Sequence, residues 1–382
     1  MIRTVVLWLL LMLPIGSAWA RQDLSYPPFS GAHSDGSDFS YWLFYHDKPD
    51  AWFESNEAMR IADHLLSYQL LNGGWCKQID MVSAPYQPGR QKSIYSSGEA
   101  TFDNEATTSQ MRFLARTYNA THDARYREAF LRGVDYILRA QYPSGGWPQR
   151  YPLRHRDYHD YVTFNDFAMI AVMELTRDIV AREGFEFVDE RRVRALRRAL
   201  ERGLDYILRS QIRVNGRLTA WCQQHHPVTY EPLPGRAYEQ VSLVSAESAG
   251  ILLLLVSLRR ETRAIERSIQ AGAAWLREVR IDGYRQGRLD GLTALIPDPK
   301  AHVWARFYEI GTSRPIFSDH DGRIRYSIEE VSPERRNGYG WYTNLPDRLF
   351  TVLGNTGGRA KAMKRAPAAV CRAKAMTAAP PR

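Results

Sequence analysis

Gly133-Val-Asp-Tyr-Ile-Leu-Arg-Ala-Gln141 returns seventy residues later as Gly203-Leu-Asp-Tyr-Ile-Leu-Arg-Ser-Gln211, identical at seven of nine positions. Both segments space their apolar residues for one face of a helix and stop at a glutamine. Asp63-His-Leu-Leu-Ser-Tyr-Gln69 is a looser, earlier copy, and Gly272-Ala-Ala-Trp-Leu-Arg277, starting 69 residues after Gly203, is a fainter, later one. A turn follows each copy: Gly73-Gly-Trp75, Gly145-Gly-Trp-Pro148, Gly216 with Trp221, and Gly283. Between the turns the pattern predicts second helices over Asn104 to Tyr118, Asp166 to Arg182 and Ser245 to Arg259. The last contains Ile251-Leu-Leu-Leu-Leu-Val256, leaves no polar face for water, and is expected to be buried all round. A unit of two helices cannot bury its apolar faces alone, so successive copies must stack. With four readable units the expected fold is mostly α, an incomplete α/α toroid of repeated helical hairpins; an ordinary helical solenoid is the alternative.

From Thr293 to Phe350 the helical period gives way to short aromatic segments broken by Pro and Gly, such as His302-Val-Trp-Ala-Arg-Phe-Tyr308 and Asn337-Gly-Tyr-Gly-Trp-Tyr342. Short strands and long loops over one mouth of the ring are expected there. Residues 1–20 hold one arginine, an apolar run and Ala18-Trp-Ala20, the pattern of a cleaved signal peptide, which predicts a secreted or periplasmic protein. Residues 21–350 read as one domain and 351–382 as a basic, disordered tail.

The formal charge of +9 is concentrated at the ends. Seven of the basic residues fall between Arg359 and Arg382, where there is no acid, and Arg3 leaves with the signal peptide. The near-neutral body argues against nucleic acid as a partner, and against a membrane once the leader is removed. Of three cysteines, Cys76 and Cys222 follow turn tryptophans in matching repeats, so a bridge between them is open, while Cys371 lies in the tail.

Aligned on the repeat, Phe102-Asp103-Asn104 and Phe164-Asn165-Asp166 fall at the same point, where the second helix begins. An acid in that place is ordinarily a helix cap. Two in neighbouring units, facing one another across the mouth, suggest an oxygen-rich site of the kind calcium takes, with a sugar supplying further ligands. On residue chemistry alone Arg236 reads as a surface or ion-paired arginine. Arg306, Arg314, Arg323 and Arg325 sit among aromatics and suit a planar grip on carboxylates.

Seven ordered motifs then add a resemblance: Thr101-Phe-Asp-Asn-Glu-Ala-Thr107, Gln141-Tyr-Pro-Ser-Gly-Gly-Trp-Pro-Gln149, His159-Asp-Tyr-Val-Thr-Phe-Asn-Asp166, Thr219-Ala-Trp-Cys-Gln-Gln224, Arg236-Ala-Tyr-Glu239, Trp304-Ala-Arg-Phe-Tyr308 and Glu334-Arg-Arg-Asn-Gly-Tyr339. From about Arg60 to about Pro346 the chain resembles the pectate lyases of polysaccharide lyase family ten. The resemblance implies a helical toroid that cleaves polygalacturonate by β-elimination with calcium. It implies Asp103 and Asp166 as calcium ligands, Arg236 as the base at C5, and Lys77, Arg314 and Arg325 as contacts to substrate. Arginine is an awkward base because its free pKa lies far above neutral, so activity is expected to rise into alkaline pH. A monomer acting on pectin is the expected working form.

Four positions depart from that family's wording. Glu105 stands where Gly is common, Cys76 replaces a Pro, Phe167 replaces a smaller or polar residue, and Val244-Ser-Ala246 alters the run after Arg236. Two rival readings are a glycoside hydrolase using Glu247 and Asp103 as acid and water activator, which would leave no ultraviolet-absorbing product, and a pectin-binding protein that binds calcium and substrate but breaks no bond.

Overall fold

The computed structural model describes residues 39–89, 99–155, 157–258 and 262–354. The signal-peptide reading and nearly all of the predicted tail lie outside those residues, although 351–354, counted above with the tail, continue a helix begun at 345. Before the helix that begins at 345, the α-helices in chain order are α1 (Tyr41–Phe44), α2 (Asn56–Tyr68), α3 (Thr108–Thr121), α4 (Ala124–Ala140), α5 (Ala168–Ala181), α6 (Glu190–Ser210), α7 (Ser245–Ser257), α8 (Arg263–Glu278) and α9 (Pro333–Asn337).

Two concentric layers result. Helices α2, α4, α6 and α8 carry the repeated segments and pack in succession as the outer layer; α3, α5 and α7 pack in succession inside them. The outer helices begin at side-chain caps. Ser55, Asp123, Asp189 and Thr262 accept from the backbone N–H of Ala58, Arg125, Arg192 and Ile265 at 3.2, 2.9, 3.0 and 3.2 Å. They bury one face and expose the other, whereas every residue of α7 from Ser245 to Leu255 is buried. Burying an aliphatic side chain contributes roughly 1.5–3 kcal/mol, so Ile251 to Leu255 make a helix without a polar face stable in the inner layer. This is the incomplete α/α toroid.

Each conserved letter of the internal repeat has a structural task. Gln69, Gln141 and Gln211, the residues just past the outer helices, each donate Nε2 to two carbonyls, one in the following turn or strand and one in the next outer helix. These are Gly73 and Ala129 (2.8 and 2.8 Å), Gly145 and Ala199 (2.8 and 2.8 Å), and Thr219 and Ser268 (3.0 and 3.2 Å). The turn tryptophans Trp75, Trp147 and Trp221 reach back with Nε1 to Leu65, Ile137 and Ile207 carbonyls at 2.8, 2.9 and 2.8 Å. Trp304 does the same to Leu276 at 2.7 Å, which completes the fourth unit. Glycine at 133, 203 and 272 lets the outer helix close on its neighbours: a Cβ there would lie 2.6 Å from Met111, 2.8 Å from Trp147 and 2.9 Å from Leu252.

The long connections from outer to inner helix gather at one end. The carbonyls of Trp75, Trp147 and Trp221 accept from the N–H groups of Thr101, Thr163 and Val244, each a few residues before an inner helix. Over this mouth lie short antiparallel strands. Val162–Thr163 pairs with Gln224–His225, which pairs with Pro232–Leu233; Leu243–Val244 pairs with Phe307–Tyr308, then Pro315–Ser318 and Ile324–Arg325.

Two expectations need correction, and one open question is answered. The inner helices α3 and α5 begin at Thr108 and Ala168, not at Asn104 and Asp166, because the backbone before them is left-handed: φ is 48° at Asn104, 63° at Glu105, 68° at Thr107, 50° at Asp166 and 60° at Phe167. A long hairpin, Ile281–Leu289 with Leu292–Ala305, runs into the segment from Thr293 onward where only short strands and long loops are expected. Cys76 and Cys222 are buried and form no disulfide.

Candidate active site at the mouth of the toroid

The left-handed stretches have a direct consequence for the two acids. Neither α3 nor α5 takes a side-chain cap, so the Asp103 and Asp166 carboxylates are not spent on helix N–H groups. Both lie in short 3-10 turns that pack against each other. Asp103 Oδ2 pairs with the Lys77 ammonium, and its Oδ1 is buried with no hydrogen-bond partner. Asp166 Oδ2 accepts from Asn165 Nδ2 at 2.9 Å, and its Oδ1 lies 3.3 Å from Arg306 Nη2.

Arg306 is the hub of the floor. Only 5% of its side chain is exposed, and Nη2 also donates to Asn165 Oδ1 at 3.0 Å and to Glu247 Oε1 at 2.7 Å. Gln223 Nε2 supports both acceptors, at 2.7 Å to Asn165 Oδ1 and 2.9 Å to Glu247 Oε1. The Arg306 guanidinium lies over the Tyr339 ring at 4.8 Å, and the Tyr339 hydroxyl donates to Glu239 Oε1 at 2.8 Å. Glu239 in turn pairs with the Arg236 guanidinium and accepts the Arg236 backbone N–H at 2.9 Å. Arg236 is the more open group, with 38% of its side chain exposed, and it leans on the Tyr238 ring at 5.0 Å.

The charges in this cluster shift one another. Burial, then the like charge of Asp103, push the Asp166 carboxyl up to about 6, against the pull of Arg306 and Arg236. Burial works against charge on Arg236, but the Glu239 carboxylate outweighs it and holds the guanidinium protonated well above its ordinary range. Glu239 correspondingly lies below the usual carboxylate range: burial raises it, and its bond to Arg236 more than compensates. The Tyr158 hydroxyl, raised chiefly by burial, feels Arg236, Glu239 and Asp103 together, so that loop faces the same space.

Lys77, Asp103, Asp166 and Arg236 are therefore brought together. Arg314 and Arg325 are not part of this cluster. Arg314 is exposed and stacks on Tyr326 at 3.9 Å, and Arg325 makes a two-pronged pair with Asp321 at 2.9 and 2.8 Å. The sequence reading weighed Arg306 only as one arginine of four and passed over Glu239, Asn165 and Tyr339. A signal existed for the first: Arg306 follows the fourth repeat tryptophan by two residues, as Lys77 and Gln223 follow the first and third. Glu247, considered as a hydrolytic acid, is fully buried and committed to Arg306 and Gln223. Among the described residues no group of three or more His, Cys, Asp or Glu could hold a metal ion; a cation here would have two carboxylates and would draw other oxygens from amides, water or substrate.

Comparison with known proteins agrees with this architecture. The family described as pectic acid lyase matches residues 69–350. The structure of a family 10 polysaccharide lyase from Cellvibrio cellulosa superposes with a TM-score of 0.73 at 34% identity, covering 81% of this chain and 95% of that one. A mutant of that lyase in complex with trigalacturonic acid gives the same TM-score and identity, covering 81% and 97%. Among curated proteins none matches. The fold is that of a polysaccharide lyase. The chain belongs to the pectic acid lyase family.

Proposed function

We propose that the protein is a secreted, monomeric pectate lyase that cleaves polygalacturonate by calcium-dependent β-elimination. The observation that carries this reading is the meeting of Asp103, Asp166 and Arg236 at one mouth of a toroid whose family is known. The leader-like residues 1–20 support secretion.

The residues fit a divalent cation. Asp103 Oδ1 and Asn104 Oδ1 are buried without hydrogen-bond partners, and Asp166 is ionised only with difficulty beside Asp103. Two repelling carboxylates, with the orphaned oxygens of Asp103 and Asn104 beside them, suit a hard cation, and Asp103 and Asp166 would hold it. Bound there, calcium would neutralise a uronate carboxylate and so stabilise charge that develops at the adjacent C5.

Arg236 takes the C5 proton. The C–H electron pair becomes the C4–C5 double bond as the C4–O4 bond breaks, and solvent protonates the departing oxygen. The guanidine must be neutral to do this, and Glu239 opposes neutrality. The active fraction is therefore small at any ordinary pH, and the rate rises about tenfold per pH unit through the alkaline range until another step limits. Arg306, pinned by three acceptors, holds Asp166 and the floor of the site in place. Lys77, Arg314 and Arg325 supply cations for further uronate units, the latter two from the rim.

A polygalacturonate assay followed in the ultraviolet, with and without a chelator, tests the reading. An unsaturated product that forms only with calcium is expected. Hydrolysis without an absorbing product would overturn it, as would full turnover by Arg236→Lys.

A further inference from the structure

Lys77 occupies a repeat position that the structure makes meaningful. Counting two residues past each turn tryptophan gives Lys77, Gln149 and Gln223. Gln223 points its amide nitrogen at the acceptors of the mouth, Asn165 and Glu247. Lys77 does the same with an ammonium and meets Asp103. The pairing is built into the backbone. Trp75, two residues before Lys77, donates its N–H to Thr107 Oγ1 at 3.0 Å and accepts the Thr101 N–H at 3.0 Å, so the two loops are fastened on both sides of Asp103. Asp103 is 2% exposed and Lys77 23%. The carboxylate is thus cut off from water and pairs with the ammonium, while Asp166 is served by Arg306 instead.

We propose that Lys77 is an internal cation that competes with the metal for Asp103, so that this lysine sets the calcium concentration at which the site loads. The proposal rests on the calcium reading above. A dication approaching Asp103 meets a carboxylate whose Oδ2 is already taken by a positive charge; to bind it must displace the ammonium, and the repulsion between the two lowers its affinity. Displacement also frees three N–H donors at the mouth in the same step, so loading with metal and readiness to grip a polyanion are linked. With glutamine at this position, as in the second and third repeats, the site would load more easily but lose that linkage.

Calorimetric titration of the purified protein with calcium chloride, without substrate, tests this in four forms: the wild type, Lys77→Gln, Lys77→Arg and Asp166→Asn. Lys77→Gln installs the residue that the fold already carries at Gln149 and Gln223, and circular dichroism checks that it folds. It should bind calcium about tenfold more tightly, a difference of about 1.4 kcal/mol. Lys77→Arg keeps the charge and should stay close to the wild type. Equal or weaker binding by a folded Lys77→Gln overturns the proposal while Asp166→Asn still abolishes binding. Binding that Asp166→Asn leaves untouched overturns the calcium site itself, and the role of Lys77 with it.

Discussion

Asp166→Asn should make the metal-free protein more stable at alkaline pH while it destroys function. Asp166 is pushed up to about 6 in the folded chain, chiefly by burial and then by Asp103, from an ordinary value of 3.8. Its folded pKa is the higher one, so below pH 4 the carboxyl is protonated in both states and costs nothing. Between 3.8 and about 6 the unfolded chain releases the proton while the folded one keeps it, so stability falls through that range and the loss is complete once the buried group has ionised. Two pH units correspond to about 3 kcal/mol. Asparagine removes that penalty but has a single acceptor where Asn165 and Arg306 both donate, which returns about 1 kcal/mol. A net gain of about 2 kcal/mol, or about 3 °C in Tm for a chain of this size, is expected at pH 8 in chelator. At pH 4 the gain should vanish. Calcium should then raise the wild type and leave the variant unchanged. Thermal unfolding by calorimetry at the two pH values decides the matter; an Asp166→Asn protein that melts below the wild type at pH 8 in chelator would refute the reasoning.

Other outcomes follow from the same geometry. Glu105 and Glu174, both pushed from an ordinary 4.5 up to about 7 first by burial, add the same sign, so the metal-free wild type should lose stability as the pH rises from about 4 to about 7, measured as a falling denaturation midpoint. Gln141→Ala removes the side-chain donor to the Gly145 and Ala199 carbonyls and should cost about 2 kcal/mol in urea unfolding, about 1 kcal/mol for each bond. Gly145→Ala would place a Cβ 2.1 Å from the Arg202 carbonyl at a φ of 108°; a loss of more than about 3 kcal/mol is expected, with little soluble protein. Arg325→Ala, remote from the cluster and paired with Asp321, should raise KM for long polygalacturonate and spare kcat, in steady-state assays.

The two-layer ring was legible because its period is written in residues with fixed tasks: glutamine to tie, tryptophan to reach back, glycine to admit the neighbouring side chain. The starts of α3 and α5 were misread by four and two residues because an acid before a helix is ordinarily a cap. Here left-handed backbone at Asn104, Glu105, Asp166 and Phe167 turns the carboxylates elsewhere. Glu105 and Phe167 are two of the departures from family wording, and both sit where a side chain strains the chain. The long hairpin was missed although Asp290-Gly291, with φ of 51° and 78°, is a strong two-residue turn signal. Its strands alternate weakly and lie half in solvent, so burial gave no period to detect. Asp103 and Asp166 stand out by their place in the repeat, and Lys77 and Arg236 by wording, whereas Arg306, Glu239 and Tyr339 meet partners distant in the chain, which no local pattern encodes.

The glutamine ties have one property that reaches past this chain. At the next outer helix each ends on a main-chain oxygen, at Ala129, Ala199 and Ser268, which every amino acid possesses. The receiving helix can exchange those side chains freely without loosening the joint, so only the donor side of each seam is held to one residue type. Duplicated units joined in this way can diverge one at a time and still fit together, which leaves the loops at the open end free to acquire chemistry of their own.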